Sequence, residues 1–484
     1  MKNRSVIIRM ADPETELLRS IIFRRYPTHE WAAFARFGWR ETPEALVLTL
    51  AGVVPPQAGD LNEEVGHVAI DEAYTLRVAL AAEHHTLAVG IIHSHPEDCA
   101  PIASPTDDDM DRYYARYFPD FAPGRPYVSL IAAIINGELA LSGRVWWRGA
   151  WLLVEQFCVE CTQVQTWFGK HFRPLDTVGR ERTARLSAAF GQEAAGLLRR
   201  STVAIIGAGG TGSAAIEVLA RAGVGRLIVV DPDSLTQSNL ERVHGSTPSD
   251  AVRKRTKVAL ACEHIKAIDE TCEVVGLVGS LPQEEVIDAV VTADVLLGCT
   301  DQQHSRLAIS DLAVRYLLPA IDCGVALEGA DGNVTGQIIQ LVRYLAADPC
   351  VVCRDMTTPQ RVAEELVSAD ERERRQAASQ EALLRGENPN PYWHGAPQLN
   401  TVGYLTTAAG ALAAGYAIGW LTGRFNPPFS RLQMNLVGPF LDVTDDPTVA
   451  RLHCACRRAR GMADQGTADV YVSAPTHWPP VRKL

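Results

Sequence analysis

The stretch "VAIIGAGGTGS", residues 203–213, constrains the fold of this chain more than any other. An apolar run typical of a buried strand leads into closely spaced glycines, then into a segment with helical spacing and a second apolar run, "RLIVVD". Strand, turn, helix and strand make a right-handed βαβ unit. Gly207, Gly209, Gly210 and Gly212 let a phosphate approach the backbone at the helix N-terminus, and Asp231 ends the second strand. The sequence therefore predicts a nucleotide site on a parallel sheet.

The bulk composition is that of a globular chain with more than one buried core. The 484 residues are 47% hydrophobic and 21% charged, with a net charge of −11 when histidine is neutral; that length suggests roughly two to four domains. An acidic chain is poorly suited to a phosphate backbone, so we expect no nucleic-acid partner. The uncharged stretch 405–421 is short for a membrane span and rich in Ala and Gly, so we expect a buried helix there and no membrane segment.

Four zones are expected along the chain. Within residues 1–150, "EALVLTLAGVV" and "LAVGIIH" predict strands, "DEAYTLRVALAAEHH" predicts a helix, and Asn136 with Gly137 predicts a hairpin turn. Residues 151–180 are expected to form a connector, residues 181–460 a second α/β domain, and residues 461–484 a poorly ordered C-terminal tail. The segment 368–391, charged and then rich in Pro and Asn, predicts an exposed crossover excursion.

Two histidines close an apolar strand in "IIHSHPEDCAPIASPTDDDM", residues 91–110. His93 and His95 are two residues apart, so their imidazoles point to the same side of a strand. Asp107 offers a carboxylate after a loop. Two histidines, one carboxylate and a position left for water are typical of a catalytic zinc site, although paired histidines are also common at the polar end of a strand.

The same stretch resembles the JAMM motif of MPN-domain metalloproteases, His-Ser/Thr-His-Pro followed by Ser-x-x-Asp. The matching residues are His93, Ser94, His95, Pro96, Ser104 and Asp107. The spacer from His95 to Ser104 is one residue longer than is usual in the family, which leaves Asp108 as an alternative ligand. The resemblance covers about residues 1–150. It implies an MPN (JAB) α/β domain that binds zinc and cleaves peptide or isopeptide bonds after the tails of ubiquitin-like proteins.

The resemblance also implies a glutamate, early in the domain, as general base for the attacking water. Glu30 in "PTHEWAAFARFG" fits that position best. The rivals are Glu41, Glu44, Glu63 and Glu64, and a solvated surface carboxylate is the commoner role for any one glutamate. By the same resemblance, Ser104 would hold the substrate carbonyl or the developing oxyanion.

The glycine stretch alone is typical of dinucleotide binding, but the residues after it argue against NAD. "DPDSLTQSNLERV", residues 231–243, resembles the D-x-D…S-N-L-x-R segment of ThiF/MoeB adenylyltransferases, which are related to ubiquitin-activating enzymes. Lys257 and Asp301 match the family's phosphate lysine and magnesium aspartate, and Arg182 and Arg185 match an arginine pair ahead of the glycine strand. The resemblance covers about residues 181–460 and implies a Rossmann-like adenylation domain.

The charge of the implied reaction accounts for these residues. A carboxylate must attack the α-phosphorus of ATP, and both groups are negative, so cations must neutralise them. The roles implied by the resemblance are phosphate contacts for Asn239, Arg242, Lys257 and Arg185, Mg²⁺ binding for Asp301, ribose binding for Asp231, and nucleotide contacts for Asp233 and the four glycines. In family dimers one arginine of the pair reaches the partner's ATP, so a homodimer is expected.

Four of the eleven cysteines form two close pairs, Cys350 with Cys353 and Cys454 with Cys456. Two such pairs predict a tetrahedral structural zinc, and ThiF/MoeB relatives have pairs in these places. His453 is an alternative ligand, and four free thiols are the other interpretation. The absence of a secretory signal and of a disulfide framework indicates a cytoplasmic protein with reduced thiols.

A ubiquitin-activating enzyme also carries a thioester cysteine, typically in its crossover segment. Residues 354–400 contain no cysteine. Either the reaction stops at the acyl-adenylate, or another thiol acts. The remaining candidates are Cys99, Cys158, Cys161, Cys299 and Cys323.

The sequence thus predicts a fusion of a zinc isopeptidase with an ATP·Mg²⁺-dependent adenylyltransferase. Its expected partner is a ubiquitin-like or sulfur-carrier protein ending in glycine, with a conjugating enzyme as a further candidate partner, in a bacterial conjugation or defence-type system. One alternative is carrier activation and processing in cofactor or amino-acid biosynthesis. A nicotinamide-dependent oxidoreductase and a binding scaffold with an empty metal site are the others.

Overall fold

A computed structural model of the chain describes residues 4–64, 67–97, 99–160, 164–168, 177–393, 401–437, 442–445, 448–466 and 473–484. The chain divides into two compact units. The first comprises Met1–Phe172, Val314–Leu317 and Arg458–Thr467, and the second comprises Arg173–Ala313, Leu318–Arg457 and Ala468–Leu484.

The first unit is built on a mixed nine-stranded sheet. Its elements in chain order are β1 (Ser5–Ala11), α1 (Glu14–Ile22), β2 (Ala32–Glu41), β3 (Ala45–Val54), β4 (Leu61–Glu64), β5 (His67–Ile70), α2 (Glu72–Ala82), β6 (Ala88–Ser94), α3 (Pro105–Phe121), β7 (Tyr127–Ile135), β8 (Glu138–Trp147), β9 (Ala150–Leu153), β10 (Gln156–Glu160) and β11 (Val164–Phe168). The strand order is β11-β10-β1-β3-β2-β6-β7-β8-β9, and β4 pairs separately with β5.

Side chains of β2 alternate between two apolar clusters. Ala33, Ala35 and Phe37 belong to one cluster, whereas Ala32 and Phe34 belong to the other. Because successive residues of a strand point to opposite faces, the sheet of this unit is covered on both sides. The covered sheet gives the strand ends that carry His93 and His95 a rigid support.

The local predictions for this unit are confirmed where the periodicity was strongest. The predicted strands are β3 and β6, and the predicted helix is α2, whose N-cap Asp71 accepts a hydrogen bond from Ala73 N. Asn136 and Gly137 both have positive φ, +53° and +81°, and join β7 to β8. Two residues with positive φ are what a tight type I′ hairpin turn needs.

Two expectations differ from the structure. Residues 151–180 were expected to be a connector, but β9, β10 and β11 extend the first sheet, and β10 pairs in parallel with β1. The end of the chain was expected to be poorly ordered, but β20 (Arg482–Lys483) pairs with a strand of the second sheet. Both segments are short and lack a strong period-two pattern, so tertiary pairing decides their structure.

The second unit has a parallel core extended by antiparallel strands. Its elements are α4 (Thr177–Arg182), α5 (Ala184–Phe190), α6 (Gln192–Arg200), β12 (Thr202–Ile206), α7 (Gly210–Ala222), β13 (Arg226–Val230), a 3₁₀ turn (Gln237–Asn239), α8 (Pro248–Val252), α9 (Lys257–Ile268), β14 (Glu273–Val278), α10 (Glu284–Val290), β15 (Val295–Gly298), α11 (Gln303–Arg315), β16 (Ala320–Ala330), β17 (Asn333–Tyr344), α12 (Pro359–Leu366), α13 (Ala369–Leu384), α14 (Gly403–Thr422), β18 (Arg431–Asn435), β19 (Asp442–Asp445), α15 (Ala455–Ala459) and β20.

The strand order of this sheet is β19-β18-β17-β16-β15-β12-β13-β14-β20. The five strands from β16 to β14 run parallel to one another. The chain proceeds from β12 to one side and returns at β15 to the other, which is the Rossmann-like arrangement predicted from the glycine stretch. In such sheets ligands bind at the carboxyl ends of the strands where the order reverses. The fold therefore places a crevice after β12 and β15.

The uncharged stretch 405–421 lies within α14, as predicted for a buried helix. Its small residues let it approach α7 closely, since a Cβ built on Gly410 would lie 2.2 Å from the carbonyl oxygen of Thr211. Within the described part of the chain, no helix is long and apolar enough to cross a membrane.

Candidate functional site

A cavity of about 950 Å³ opens at the carboxyl ends of β12 and β15. That volume is in the range of small-molecule sites. Nine residues predicted to bind nucleotide line it: Gly207, Gly209, Gly210, Asp231, Asp233, Asn239, Arg242, Lys257 and Asp301. The structure thus brings together residues spread over almost a hundred positions of the sequence.

The glycine turn is shaped by backbone contacts that exclude side chains. Gly207 has φ +97°, and a Cβ there would lie 2.4 Å from the carbonyl oxygen of Cys299, the residue after β15. A Cβ on Gly212 would lie 1.8 Å from the carbonyl oxygen of Gly207. Gly212 therefore packs the turn against α7 and does not itself line the cavity. The N-terminus of α7 is left facing the cavity, where it favours an anion.

The carboxylate of Asp231 accepts two backbone hydrogen bonds, one of them from the glycine turn. One carboxylate oxygen accepts from Ala208 N at 2.7 Å and the other accepts from Asp233 N at 2.8 Å. Burial raises the pKa of Asp231, while Lys257, with Nζ at 3.8 Å, opposes that rise. Asp233 is the more exposed carboxylate and pairs with Lys257 Nζ at 2.7 Å. Both acids are within reach of a ligand in the cavity.

Local hydrogen bonds also hold the other predicted ligands. Asn239 Oδ1 accepts from Thr236 N at 3.0 Å, and Arg242 Nη1 donates to Ser238 O at 2.9 Å. Asp301 is exposed at the cavity edge, just before α11. Asn239 and Arg242 lie in the loop that follows β13, and Asp301 lies in the loop that follows β15, so two loops bring these three side chains to the same cavity.

The predicted arginine pair lies outside this cavity. Arg182 is bound to Asp269 at 2.6 Å. Arg185 is exposed on α5 and does not line the cavity of its own chain. Neither arginine therefore reaches this nucleotide site from within the same chain.

Sequence reasoning missed a buried ion pair in the cavity wall. Arg306 Nε lies 3.6 Å from Asp322 Oδ2 and donates to Thr300 O at 3.0 Å. Burial raises the pKa of Asp322 to about 6. Arg306 lies five residues after Asp301 in "TDQQHSR", close in sequence to a predicted ligand, but no spacing rule identifies it. Residues of α12 and α13 that line the cavity were missed as well.

In the first unit, three predicted metal ligands converge. His93 Nε2 lies 3.2 Å from Asp107 Oδ1, and His95 Nε2 lies 4.0 Å from Asp107 Oδ2. His95 Nδ1 lies 2.8 Å from the carbonyl of Ala100, which can only accept, so Nδ1 donates this hydrogen bond and Nε2 is the nitrogen directed at Asp107. His93 is 2% exposed, and neither of its ring nitrogens has a hydrogen-bond partner among the described residues.

Glu30 is placed beside these histidines by strand register. β2 pairs antiparallel with β6, Ala32 opposite His93, and Ser94 N donates to Trp31 O at 2.9 Å. Continuing that register places Glu30 alongside His95. Burial raises the pKa of Glu30, while the charges of both histidines act to lower it. Of the rivals, Glu41 forms ion pairs with Arg4 and Arg148, Glu44 lies in the β2–β3 turn, and the side chains of Glu63 and Glu64 fall outside the described structure.

Asp107, and not Asp108, faces the histidines. Ser104 and Asp107 form a capping box on α3, with Ser104 N donating to Asp107 Oδ2 at 2.7 Å and Asp107 N donating to Ser104 Oγ at 3.2 Å. Asp108 instead binds Arg144 at 2.6 Å. Burial acts to raise the pKa of Asp107, but the contact with His93 and the hydrogen bonds with Ser104 outweigh it and hold that pKa well below its usual range. Ser104 thus orients the carboxylate in addition to any contact with substrate.

The four paired cysteines form a single cluster in the second unit. Their sulfurs lie within 4.8 Å of one another, with Cys350 Sγ 3.6 Å from Cys454 Sγ and Cys353 Sγ 3.9 Å from Cys456 Sγ. Zinc–sulfur bonds of ~2.3 Å in a tetrahedron place sulfurs ~3.8 Å apart. The cluster therefore has the dimensions of a zinc site. His453 is exposed and does not belong to it.

The thioester candidates are scattered. Cys99 is exposed, Cys158 is buried on β10, and Cys161 falls outside the described residues. Cys299 and Cys323 both line the nucleotide cavity, with their sulfurs 3.7 Å apart. The neighbouring thiol of Cys299, and then burial, raise the pKa of Cys323. Cys323 is therefore a poor nucleophile in this state.

Comparison with known proteins gives one family match, and it lies almost wholly in the second unit. The model of the ThiF family matches residues 181–457. The chain is 32% identical over 141 residues to a sulfur carrier protein ThiS adenylyltransferase of Bacillus subtilis, covering 29% of this chain and 42% of that relative. It is 34% identical over 163 residues to the molybdopterin-synthase adenylyltransferase of Escherichia coli, covering 34% and 61%. The chain thus spans less than two thirds of the length of these curated relatives.

Among solved structures, the chain is similar to Escherichia coli MccB with ATP. The TM-score is 0.43 at 16% identity, over 57% of this chain and 74% of that chain. A TM-score of that size supports no conclusion about the function of this chain.

Proposed function

Because the chain belongs to the ThiF family, we propose that its second unit adenylates the C-terminal glycine of a ubiquitin-like or sulfur-carrier protein with ATP. The observation that carries the proposal is the cavity at the reversal of strand order, where the glycine turn, Arg242, Lys257 and Asp301 meet. The names of both curated relatives support adenylyl transfer, and the name of the Bacillus subtilis relative supports a sulfur carrier protein as the acceptor.

In the proposed reaction a carboxylate oxygen of the carrier attacks the α-phosphorus of ATP. The bond from that phosphorus to the bridging oxygen breaks, and pyrophosphate leaves with the electron pair. Lys257 and Arg242 would neutralise the phosphates, and the backbone N–H groups at the start of α7 would bind them. Asp301 would hold Mg²⁺, which supplies further positive charge. Asp231 and Asp233 would bind the ribose, and Asn239 a phosphate.

We further propose a homodimer in which Arg185 acts across the interface. Arg185 is exposed and stands outside the cavity of its own chain, whereas the family resemblance gives it a phosphate role. A second copy is the simplest source of that arginine.

The histidine cluster supports a second activity, hydrolysis of the peptide or isopeptide bond after the carrier's tail. The residues fit zinc, because the buried ring nitrogens of His93 donate or accept no well-formed hydrogen bond among the described residues, Nε2 lies 3.2 Å from Asp107 Oδ1, and the three ligand atoms lie within 4.8 Å of one another. His93, His95 and Asp107 would hold the ion, which when bound polarises a carbonyl and acidifies water. Glu30 would take the proton from the attacking water and deliver it to the leaving amine.

Having both activities on one chain suggests one shared carrier, trimmed or released by the first unit and activated by the second. A ubiquitin-like conjugation or defence-type system would add a conjugating enzyme. Sulfur-carrier activation and processing in cofactor or amino-acid biosynthesis would instead use the adenylate as a sulfur acceptor.

The cysteine cluster is proposed to hold a structural zinc ion. We expect one zinc per cluster, hence two per chain, by elemental analysis. Cys353→Ser should remove one zinc and lower the melting temperature by more than about 5 °C, because metal binding contributes to folding free energy. Cys99→Ser, an exposed thiol outside the cluster, should change neither value. Full zinc content in Cys353→Ser would contradict the assignment.

Carrier-dependent ATP–pyrophosphate exchange tests the adenylation proposal. The full chain is mixed with ATP, labelled pyrophosphate and small proteins that end in glycine, and exchange should require both ATP and a carrier. Titration with NAD should leave the exchange rate unchanged, whereas an oxidoreductase would bind NAD and show no exchange.

A further inference from the structure

The crossover segment forms part of the wall of the nucleotide cavity. α12 contributes Arg361, Glu364 and Glu365, and α13 contributes Arg372 and Gln376. The sequence predicted only an exposed excursion here. In the structure one side of this excursion faces the same space as Asp301 and the glycine turn, so its side chains are positioned to contact what binds there.

Glu365 attaches α12 to the loop after Asp301. Glu365 Oε1 accepts from Gln303 N at 2.9 Å, and Oε2 accepts from His304 N at 3.0 Å and lies 2.8 Å from His304 Nδ1. These contacts cap the first turn of α11. The hydrogen bonds outweigh burial and lower the pKa of Glu365, so it is ionised at neutral pH. Arg361 precedes Glu365 by four residues and therefore lies on the same face of α12.

The arginines of the crossover segment form two groups: those that pair with a carboxylate and do not line the cavity, and those that line the cavity. Arg374 and Arg375 pair with Glu371, and Arg385 pairs with Glu387 at 3.0 Å, and none of these lines the cavity. Arg361 and Arg372 line the cavity and form no ion pair with any carboxylate in the described ranges. The polar contact of the Arg372 guanidinium is the carbonyl of Glu365, at 3.5 Å.

The other cations of the cavity already have carboxylate partners. Lys257 pairs with Asp233 at 2.7 Å, Arg242 with Glu241 at 3.0 Å, and Arg306 lies 3.6 Å from Asp322. Lys257 and Arg242 can still contact phosphate, but their carboxylate partners offset part of their charge, and a triphosphate carries several negative charges. Among the described residues of this wall, Arg361 and Arg372 are the guanidinium groups whose charge no carboxylate offsets, so they can supply the additional positive charge.

We propose that Arg361 and Arg372 bind the β- and γ-phosphates of ATP from within the same chain, and that Glu365 positions Arg361 by anchoring α12 on the start of α11. The inference rests on the proposed function for the identity of the ligand, ATP. It adds a phosphate-binding element carried by the crossover segment, separate from the glycine turn and from Arg185.

Calorimetric titration of the full chain with Mg·ATP and with AMP tests this role. Arg361→Ala and Arg372→Ala should each weaken ATP binding roughly tenfold and leave AMP binding unchanged, because AMP lacks the phosphates concerned. Arg361→Lys should retain part of the affinity, since it keeps the charge. Arg374→Ala, on the same segment but paired with Glu371, is the matched control and should bind both nucleotides normally.

Two results would overturn the inference: unchanged ATP affinity in both arginine variants, or equal losses for ATP and AMP, which would indicate a general disturbance of the cavity. Glu365→Ala should weaken ATP binding but add little in the Arg361→Ala background, and full additivity would contradict its positioning role. If the wild-type chain binds ATP but shows no carrier-dependent exchange, the proposed function is contradicted. The comparison of ATP and AMP affinities between the wild type and the arginine variants would still test the phosphate-binding role.

Discussion

Asp301→Ala should reduce carrier-dependent ATP–pyrophosphate exchange by about 10²–10³-fold, because its carboxylate is proposed to hold the Mg²⁺ that neutralises charge in the transition state. Asp301 is exposed at the edge of the cavity, after β15 and before α11. Truncating an exposed side chain leaves no buried group unpaired, so the melting temperature should be unchanged. The loss would then report on catalysis and not on folding.

Asp370→Ala is the matched control for this variant. Asp370 is an exposed aspartate in the first turn of α13 that does not line the cavity. Its exchange rate should equal that of the wild type. Wild-type exchange in Asp301→Ala, at any Mg²⁺ concentration, would remove Asp301 from the proposed mechanism.

Glu30→Gln should reduce cleavage of a carrier–reporter fusion by roughly 10²–10⁴-fold, the usual contribution of a general base. The amide has the size of the carboxyl but cannot take a proton, so zinc content should remain at two per chain if both clusters are loaded. His93→Ala should abolish cleavage and remove one zinc. Exchange should persist in both variants, since the residues proposed for adenylation belong to the other unit.

His84→Ala serves as the control for the histidine variant, because His84 is exposed and outside the cluster. It should cleave the fusion normally and keep both ions. Undiminished cleavage in Glu30→Gln would show that another group accepts the proton, and wild-type zinc content in His93→Ala would remove the metal assignment.

Short sequence patterns predict the turns and helix caps whose conformation depends on residues close together in the chain. The turn between β12 and α7 can be predicted because its tight backbone has no room for a Cβ and therefore requires glycine. The β7–β8 hairpin can be predicted because Asn136 and Gly137 readily adopt positive φ. The capping box of Ser104 and Asp107 is also readable from their three-residue spacing. By contrast, β20 consists of two residues whose structure depends on an available edge of β14.

Contacts between distant segments were harder to predict. The place of Glu30 in the chain and the family resemblance predict its role, whereas the register of β2 against β6 gives the physical reason for its proximity to His95. The direction in which Arg361 and Arg372 face could not be read from a charged segment, because it depends on how α12 docks on α11 through Glu365. Sequence identifies such side chains as charged, and packing decides which of them reach a ligand.

The most direct test of the central claim is detection of the acyl-adenylate itself. The full chain is incubated with Mg·ATP and a small carrier protein ending in glycine, in the presence of pyrophosphatase, and the carrier is analysed by intact-mass spectrometry. We predict a carrier population heavier by one adenylyl group (AMP less one water), absent when the terminal glycine is deleted and absent with Asp301→Ala. A carrier that binds the chain but never gains AMP, under conditions in which ATP binding is demonstrated, would contradict the account.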